Sequence, residues 1–218
     1  MLFNSFKYLL FFPIVCTIYW ILPAKWRNIF LLISSYYFYM NWQPVYGCLI
    51  LFITFVTWLL ARNMVSKDAK KQKKLILIAC LLISFGTLFV FKYANFVATS
   101  INDLFVVLHI KIEFPFLEVL LPVGISFYTF QAVGYVIDVY RGTIKAEKNL
   151  FTYALFVSFF PQLVAGPIER AKNLLPQFYE THKINIEDVT KGLRLVLWGY
   201  FMKVVVADRL SVYVDAVY

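Results

Sequence analysis

Five small or polar side chains recur along one apolar stretch in the middle of the chain, residues 120–142. They are Gly124, Tyr128, Gln131, Tyr135 and Asp138. At about 100° per residue, a helix places these positions in a stripe roughly 80° wide. Because an unpaired polar group in hydrocarbon is costly, we expect this face to turn toward protein or water.

Two interpretations of the stripe stay open from the residues alone. In the first, the stripe lines an internal path through a membrane domain, because polar groups within membrane segments are functional candidates. The candidate lining residues are then Tyr128, Gln131, Tyr135 and Asp138. In the second, the stripe is a helix end at which Asp138 pairs with Arg141.

The composition of the whole chain is that of a membrane protein. Of its 218 residues, 61% are hydrophobic and 15% are charged, and the mean hydropathy is +0.73. Soluble domains carry about 25% charged residues, and they do not need apolar runs of membrane length. The sequence therefore predicts an all-α, polytopic membrane protein. Nucleic-acid binding is not expected, because the aromatic residues lie inside the apolar runs.

Six apolar segments are predicted as membrane spans, and a seventh is interrupted by Lys203. The six are residues 8–22, 29–40, 45–61, 75–91, 121–137 and 150–165, and the seventh is 193–207. These give about six to seven transmembrane or re-entrant helices. Apolar residues at helical spacing over 96–108 add a short interfacial helix.

This pattern divides the chain into four parts of one membrane domain. They are the first four spans (1–91), an outer interfacial segment (92–119), the polar-striped span with the next span (120–165), and a polar loop with the start of a further helix (166–218).

The basic residues predict the orientation of these spans. The third and fourth spans are joined by a loop with six cations and one acid: Arg62, Lys67, Lys70, Lys71, Lys73 and Lys74 against Asp68. The first and second spans are joined by a loop with Lys25 and Arg27. By the positive-inside rule both loops are cytoplasmic and the amino terminus is outside. The side of the 166–187 loop stays open, since either simple alternation or a re-entrant hairpin fits.

The chain offers few residues for catalysis or for binding a metal. Cys16, Cys48 and Cys80 lie singly in apolar runs without a nearby histidine, so they are interpreted as small buried hydrophobic residues. No phosphate-binding glycine loop is present. His109 and His182 lie in interfacial or polar segments and are expected to be solvated. These residues predict no metal site and no catalytic constellation.

Four ordered motifs carry a resemblance to a known family. They lie at residues 1–6, 91–96, 122–130 with 138–142, and 159–170. They resemble the membrane-bound O-acyltransferase (MBOAT) family, and within it the bacterial alginate O-acetylation subunits and their peptidoglycan-acetylating relatives. The teichoic acid D-alanine transfer proteins are more distant. The motif residues in this chain are Lys92, Arg141, Gln162, Gly166, Pro167 and Arg170.

The resemblance implies a ring of tilted helices around a thinned central tunnel in the bacterial cytoplasmic (inner) membrane. It implies a cytoplasmic acyl thioester, acetyl-CoA in this branch, as donor and no bound cofactor. The acceptor is a hydroxyl on the outer face. The implied partners are membrane lipid, an extracytoplasmic acetyltransferase or relay protein and, indirectly, a polysaccharide.

The resemblance also implies that the catalytic residue lies outside this chain. The family's histidine, a general base or acyl relay, belongs to an apolar segment beyond Tyr218. The chain is therefore expected to be the amino-terminal half of the enzyme and inactive alone. The alternatives are a non-catalytic membrane scaffold, a transporter-like protein or a truncated, inactive acyltransferase.

Overall fold

The computed structural model describes residues 3–66, 69–110, 112, 114–116, 121–164 and 166–217. Lys67, Asp68 and positions 120, 165 and 218, which fall in predicted segments, lie outside the described residues. Throughout the described part, the regular structure is helical, without strands. The helices are α1 Phe6–Ile21, α2 Ala24–Met40, α3 Val45–Val65, α4 Lys70–Val107, α5 Ile125–Arg141, α6 Leu150–Ser158, α7 Phe160–Leu163, α8 Ala171–Gln177, α9 Ile186–Tyr200 and α10 Asp208–Val217, with a π-helical segment Phe201–Ala207 between the last two.

Two of these helices are long and apolar enough to cross a membrane, namely α3 and α4. Helix α1 is also apolar but shorter. The predicted class, an all-α membrane protein, is confirmed by this helical content and by the apolar helices. The number of spans stays a prediction.

Helix α4 differs from the sequence prediction. The residues predicted as a separate interfacial helix, 96–108, continue α4 without a break, so that it is 38 residues and about 57 Å long. Residues 87–107 contain neither proline nor glycine, the residues that most often end a helix. The helical spacing over 96–108 was therefore a real signal, but a separate helix was the wrong interpretation of it. The helix ends at Leu108, ahead of His109, whose φ is 55°.

The chain forms two compact units. One contains Met1–Lys25 and Glu180–Tyr218, and the other contains Trp26–Tyr179. In the first unit, the Tyr200 hydroxyl donates a 2.6 Å hydrogen bond to the Phe3 carbonyl oxygen. This bond joins α9 to the residues just before α1.

The second unit is built around α5. Helix α5 packs against α3 and α4, and α3 also packs against α6. Close packing of large side chains between these helices holds the unit together. The fully buried large side chains include Ile50, Ile53, Met64, Tyr128, Tyr135, Val136, Tyr153, Leu155, Phe156 and Val157.

Candidate functional site at the break between α6 and α7

Helix α5, which carries the polar stripe, is bounded by two glycines with positive φ. Gly142, at φ 75°, ends the helix, and the Thr143 N–H donates to the Asp138 carbonyl oxygen at 3.0 Å. This arrangement is typical of a glycine C-cap. Gly124, at φ 78°, precedes the helix, and a Cβ there would lie 2.3 Å from the Leu163 carbonyl oxygen. Only glycine fits this position, which brings the start of α5 against the end of α7.

The predicted span 150–165 is not one helix. Helix α6 ends at Ser158, and α7 begins at Phe160 after Phe159, whose φ and ψ are −54° and 110°. Pro161 lies in the first turn of α7, where a missing N–H costs least. A break of this kind leaves carbonyl groups of α6 and N–H groups of α7 without partners in their own helices.

Side chains from two neighbouring helices bind these backbone groups. The Gln131 side-chain amide on α5 donates to the Phe156 carbonyl oxygen at 2.8 Å, in a buried position. On the other side of the break, the Phe160 N–H donates to the Ser35 hydroxyl on α2 at 3.2 Å. The break is therefore part of a polar site in which α2, α5, α6 and α7 meet.

Two buried tyrosines connect this site to its surroundings. The ring centroids of Tyr135 and Tyr153 lie 4.5 Å apart. The Tyr153 hydroxyl lies 2.9 Å from the Thr57 hydroxyl on α3, and the Tyr135 hydroxyl accepts a 2.8 Å hydrogen bond from the Glu147 N–H. Their rings therefore pack as apolar groups while both hydroxyls have polar partners.

The structure buries three of the four candidate lining residues. Tyr128, Gln131 and Tyr135 are 0%, 5% and 1% exposed, whereas Asp138 is half-buried. Asp138 and Arg141 make no ion pair within 4 Å, although both are in the described part of the chain. The interpretation of the stripe as an Asp138–Arg141 pair is therefore wrong. The lining of an internal path stays a prediction.

The buried face of α5 is also wider than the stripe. Ala132 and Val139 each follow a stripe residue and lie about 100° from it around the helix, yet they are 0% and 7% exposed. Since α5 packs against several helices, apolar and polar positions alike are covered by protein. Burial of Tyr128, Gln131 and Tyr135 is thus not specific to the polar stripe.

Near the start of α5, several buried polar atoms have no hydrogen-bond partner. They are the hydroxyls of Tyr39, Tyr128 and Thr129 and the Gln162 side-chain carbonyl oxygen. The rings of Tyr39 and Tyr128 meet edge to face with centroids 6.2 Å apart. Buried polar atoms without a partner are able to bind a water molecule or a substrate oxygen.

The family-motif residues occupy three separate places in the second unit. Gln162 and Gly166 lie together: the Gly166 N–H donates to the Gln162 carbonyl oxygen at 3.1 Å, and a Cβ on Gly166 would lie 2.4 Å from the Gln162 Cα. Pro167 and Arg170 follow as exposed residues before α8. Arg141 is exposed at the end of α5, and exposed Lys92 lies on α4, its ammonium 5.4 Å from the Tyr93 ring centroid.

Sequence reasoning missed a polar cluster around Glu147. The Glu147 carboxylate accepts hydrogen bonds from the Tyr179 hydroxyl and the Asn149 N–H, both at 2.8 Å. The Asn149 side chain caps α6 by accepting from the Phe151 N–H at 2.9 Å. Partial burial and, less strongly, the Glu147 carboxylate raise the pKa of Tyr179. Asn149 before an apolar run is a helix-start signal in the sequence, but nothing in the sequence pairs Glu147 with Tyr179.

The two histidines lie outside the helices whose side chains form this site. His109 follows α4 as an exposed residue, and His182 belongs to the other unit. Among the described residues, no three His, Cys, Asp or Glu side chains form a group that could hold a metal ion.

The chain matches curated proteins over nearly all of its length. It is 36% identical over 218 residues to the probable alginate O-acetylase AlgI of Pseudomonas aeruginosa, covering 99% of this chain and 41% of that protein. It is 30% identical to the peptidoglycan O-acetyltransferase of Helicobacter pylori, covering 99% and 46%. The chain is a homologue of proteins named alginate O-acetylase and peptidoglycan O-acetyltransferase. The resemblance inferred from the four motifs is thereby confirmed.

The similarity to teichoic acid D-alanyltransferases is more limited. The teichoic acid D-alanyltransferase of Lacticaseibacillus rhamnosus is 30% identical over 84 residues, 37% of this chain and 20% of that protein. The chain spans less than half the length of the curated relatives it matches. No family model matches the chain, and no solved structure matches it.

Proposed function

We propose that the protein takes part in acyl transfer across the bacterial cytoplasmic (inner) membrane. An acetyl or other acyl group moves from a cytoplasmic thioester such as acetyl-CoA to a hydroxyl of an extracytoplasmic polysaccharide or relay protein. The observation that carries this proposal is the similarity, over 99% of the chain, to relatives named alginate O-acetylase and peptidoglycan O-acetyltransferase.

The chemistry of this transfer needs a base. The acceptor hydroxyl oxygen forms a bond to the acyl carbon, the carbon–sulfur bond breaks, and the thiolate leaves. A base takes the hydroxyl proton and later returns it to the thiolate, and histidine has a suitable pKa. Neither His109 nor His182 lies in an apolar helix of this chain. The proposal therefore assigns the base to a histidine outside residues 1–218.

This chain contributes the wall of the acyl-transfer path in our proposal. The polar atoms of Tyr39, Tyr128 and Gln162 that have no partner are buried where α2, α5 and α7 meet. A substrate hydroxyl could donate a hydrogen bond to the Gln162 side-chain carbonyl oxygen, which is buried without a partner in the structure. Gln131 and Tyr135 support the same wall from deeper along α5, and Asp138 lies near its other end.

The proposed orientation follows from the basic loops. With Lys25 and Arg27 in the cytoplasm, the amino terminus is outside and α5 runs from the outer to the cytoplasmic side. The start of α5 then faces the side of the acceptor. An extracytoplasmic acetyltransferase or relay protein would meet the protein at this outer end, while the lipid contacts its many exposed apolar side chains.

A thiol-release assay tests the proposal. The full-length protein is reconstituted in lipid vesicles with acetyl-CoA and a hydroxyl-bearing acceptor, alginate or peptidoglycan fragments. We expect release of free CoA thiol that depends on the acceptor and exceeds that of protein-free vesicles. Thiol release equal to that of protein-free vesicles, from protein that remains folded, would instead support the scaffold alternative.

A further inference from the structure

Residues 149–179 leave one end of the second unit and return to the same end. At the point of departure, Asn149 caps α6 beside Glu147. At the point of return, the Tyr179 hydroxyl donates to the same Glu147 carboxylate at 2.8 Å. The two ends of a 31-residue segment therefore meet at one side chain.

Contacts with α2 show how far residues 149–179 extend along that helix. The Asn28 side-chain amide donates to the Phe178 carbonyl oxygen at 2.6 Å, and Ser35 accepts from the Phe160 N–H at 3.2 Å. Asn28 and Ser35 are seven residues apart on one helix, which is about 10 Å along its axis. Phe160 therefore lies about 10 Å farther along α2 than the returning residue Phe178.

Contacts with α5 give the same direction independently. The Glu147 N–H donates to the Tyr135 hydroxyl, whereas Leu163 lies against Gly124. Tyr135 and Gly124 are eleven residues apart, or about 16 Å along α5. Helices α6 and α7 thus extend toward the start of α5, and α8 leads back. Helix α8 packs against α6, so the outgoing and the returning parts of the segment lie side by side.

We infer that residues 149–179 form a re-entrant hairpin and that Glu147 is the positioning residue that closes it. Glu147 is suited to this role because its one carboxylate binds the backbone at the entry and a side chain at the exit. A charged acceptor makes both bonds stronger than neutral ones would be. The hairpin carries the motif residues Gln162, Gly166 and Arg170. Glu147, which precedes the hairpin in the chain, would therefore help to position them.

The inference selects one of the two arrangements that the sequence leaves open for this part of the chain. A single crossing by α6 and α7 would put residue 177 on the opposite side from residue 145. A hairpin puts both on the same side, together with the start of α2. Cysteine labelling and hydrogen exchange report on the hairpin whether or not the proposed function is correct, and only the activity measurement rests on that function.

Cysteine labelling distinguishes the two arrangements. In the full-length protein lacking Cys16, Cys48 and Cys80, single cysteines replace the exposed residues Lys145, Gln177 and Asn41. With an impermeant maleimide on sealed membranes of each orientation, we expect Lys145→Cys and Gln177→Cys to react from one side and Asn41→Cys from the other. Reaction of Gln177→Cys together with Asn41→Cys would overturn the hairpin.

Hydrogen exchange tests the role of Glu147. Glu147→Ala removes the acceptor at both ends, so we expect amide exchange in residues 149–153 and 176–181 to rise roughly five- to thirtyfold. Glu147→Gln keeps an acceptor oxygen and should preserve most of the protection. Tyr179→Phe, which is the milder change, should affect mainly residues 176–181.

Glu169→Ala is the matched control for Glu147→Ala. The Glu169 carboxylate accepts from the Arg170 N–H and the Asn173 side chain, both near the start of α8. Its loss should raise exchange near residues 170–173 and leave 149–153 unchanged. Equal exchange at 149–153 and 176–181 in Glu147→Ala and the unsubstituted protein would overturn the role of Glu147.

The activity readout then links the hairpin to the proposed function. We expect acyl transfer to fall at least tenfold in Glu147→Ala and to recover in Glu147→Gln. Raised exchange without any change in acyl transfer would overturn the positioning role while the hairpin stands. Absence of acyl transfer in the unsubstituted protein would contradict the proposed function, while the labelling and exchange results would still decide the inference.

Discussion

The Gln131 side chain on α5 reaches the Phe156 carbonyl oxygen in the last turn of α6, 2.8 Å away. This carbonyl is one of the groups that a helix end leaves unpaired. Both groups are buried, so no bulk water can replace the bond. A polar residue in the middle of an apolar helix thus has a defined structural role, because it permits a neighbouring helix to end inside the protein.

Replacing Gln131 by leucine should destabilise the protein by about 1–3 kcal/mol. The leucine is similar in size but leaves the Phe156 carbonyl without a donor, and an unpaired buried acceptor costs about that much. Thermal unfolding of the full-length protein in detergent measures the effect. Gln177→Leu is the control, since Gln177 is exposed on α8 and should change stability by less than about 0.5 kcal/mol. Equal stability of the two variants would show that the Gln131 bond is dispensable.

Gly124→Ala should be strongly destabilising, and Gly134→Ala should not. A methyl group at residue 124 would lie 2.3 Å from the Leu163 carbonyl oxygen, on a backbone with φ 78°. At residue 134, within the same helix, a methyl group meets nothing within 4 Å, and alanine should stabilise the helix by about 0.5–1 kcal/mol. The yields and unfolding temperatures of the two purified variants check this. A normal unfolding temperature for Gly124→Ala would contradict the contact between α5 and α7.

Thr57 and Tyr153 should be energetically coupled. Their hydroxyls lie 2.9 Å apart in a buried position between α3 and α6. In a double-mutant cycle with Thr57→Val and Tyr153→Phe, we expect a coupling energy of about 1 kcal/mol, because each single change leaves the other hydroxyl without this partner. Additive effects of the two changes on the free energy of unfolding would exclude the bond.

The carboxyl end of α3 and the amino end of α4, which lie on either side of residues 66–69, should face the cytoplasm. In intact cells, a cysteine in place of Lys70 should resist an impermeant thiol reagent, whereas a cysteine in place of Asn41 should react. Both residues are exposed in the structure, so access is limited by the membrane alone. Labelling of the Lys70 variant in intact cells, with the Asn41 variant unlabelled, would reverse the orientation.

The sequence alone predicts the class and the polar helix, but not the break. Apolar runs and the spacing of Tyr128, Gln131 and Tyr135 follow from local patterns that any helix must obey. The stop after Ser158 depends on Pro161 together with Gln131 and Ser35, and the last two are distant in the chain. A proline alone does not say whether a helix kinks or ends.

The same reason explains the two interpretations that failed. Arg141 is the basic residue nearest to Asp138 in the sequence, yet the two side chains do not form an ion pair. The helical spacing over 96–108 was recognised, but periodicity does not show whether a helix is new or continues the preceding one. Glu147 and Tyr179, 32 residues apart, carry no local signal of their contact.

We propose that the protein is needed for the transfer of acyl groups to a polysaccharide outside the cytoplasmic membrane. The most direct measurement is the ester-linked acetyl content of extracellular polysaccharide and peptidoglycan from cells without the gene and from cells complemented with the full-length gene. We expect the acetyl content of one of these polymers to fall at least tenfold on deletion and to return with the intact gene, but not with the Gly124→Ala variant. An unchanged acetyl content in both polymers on deletion would contradict the account.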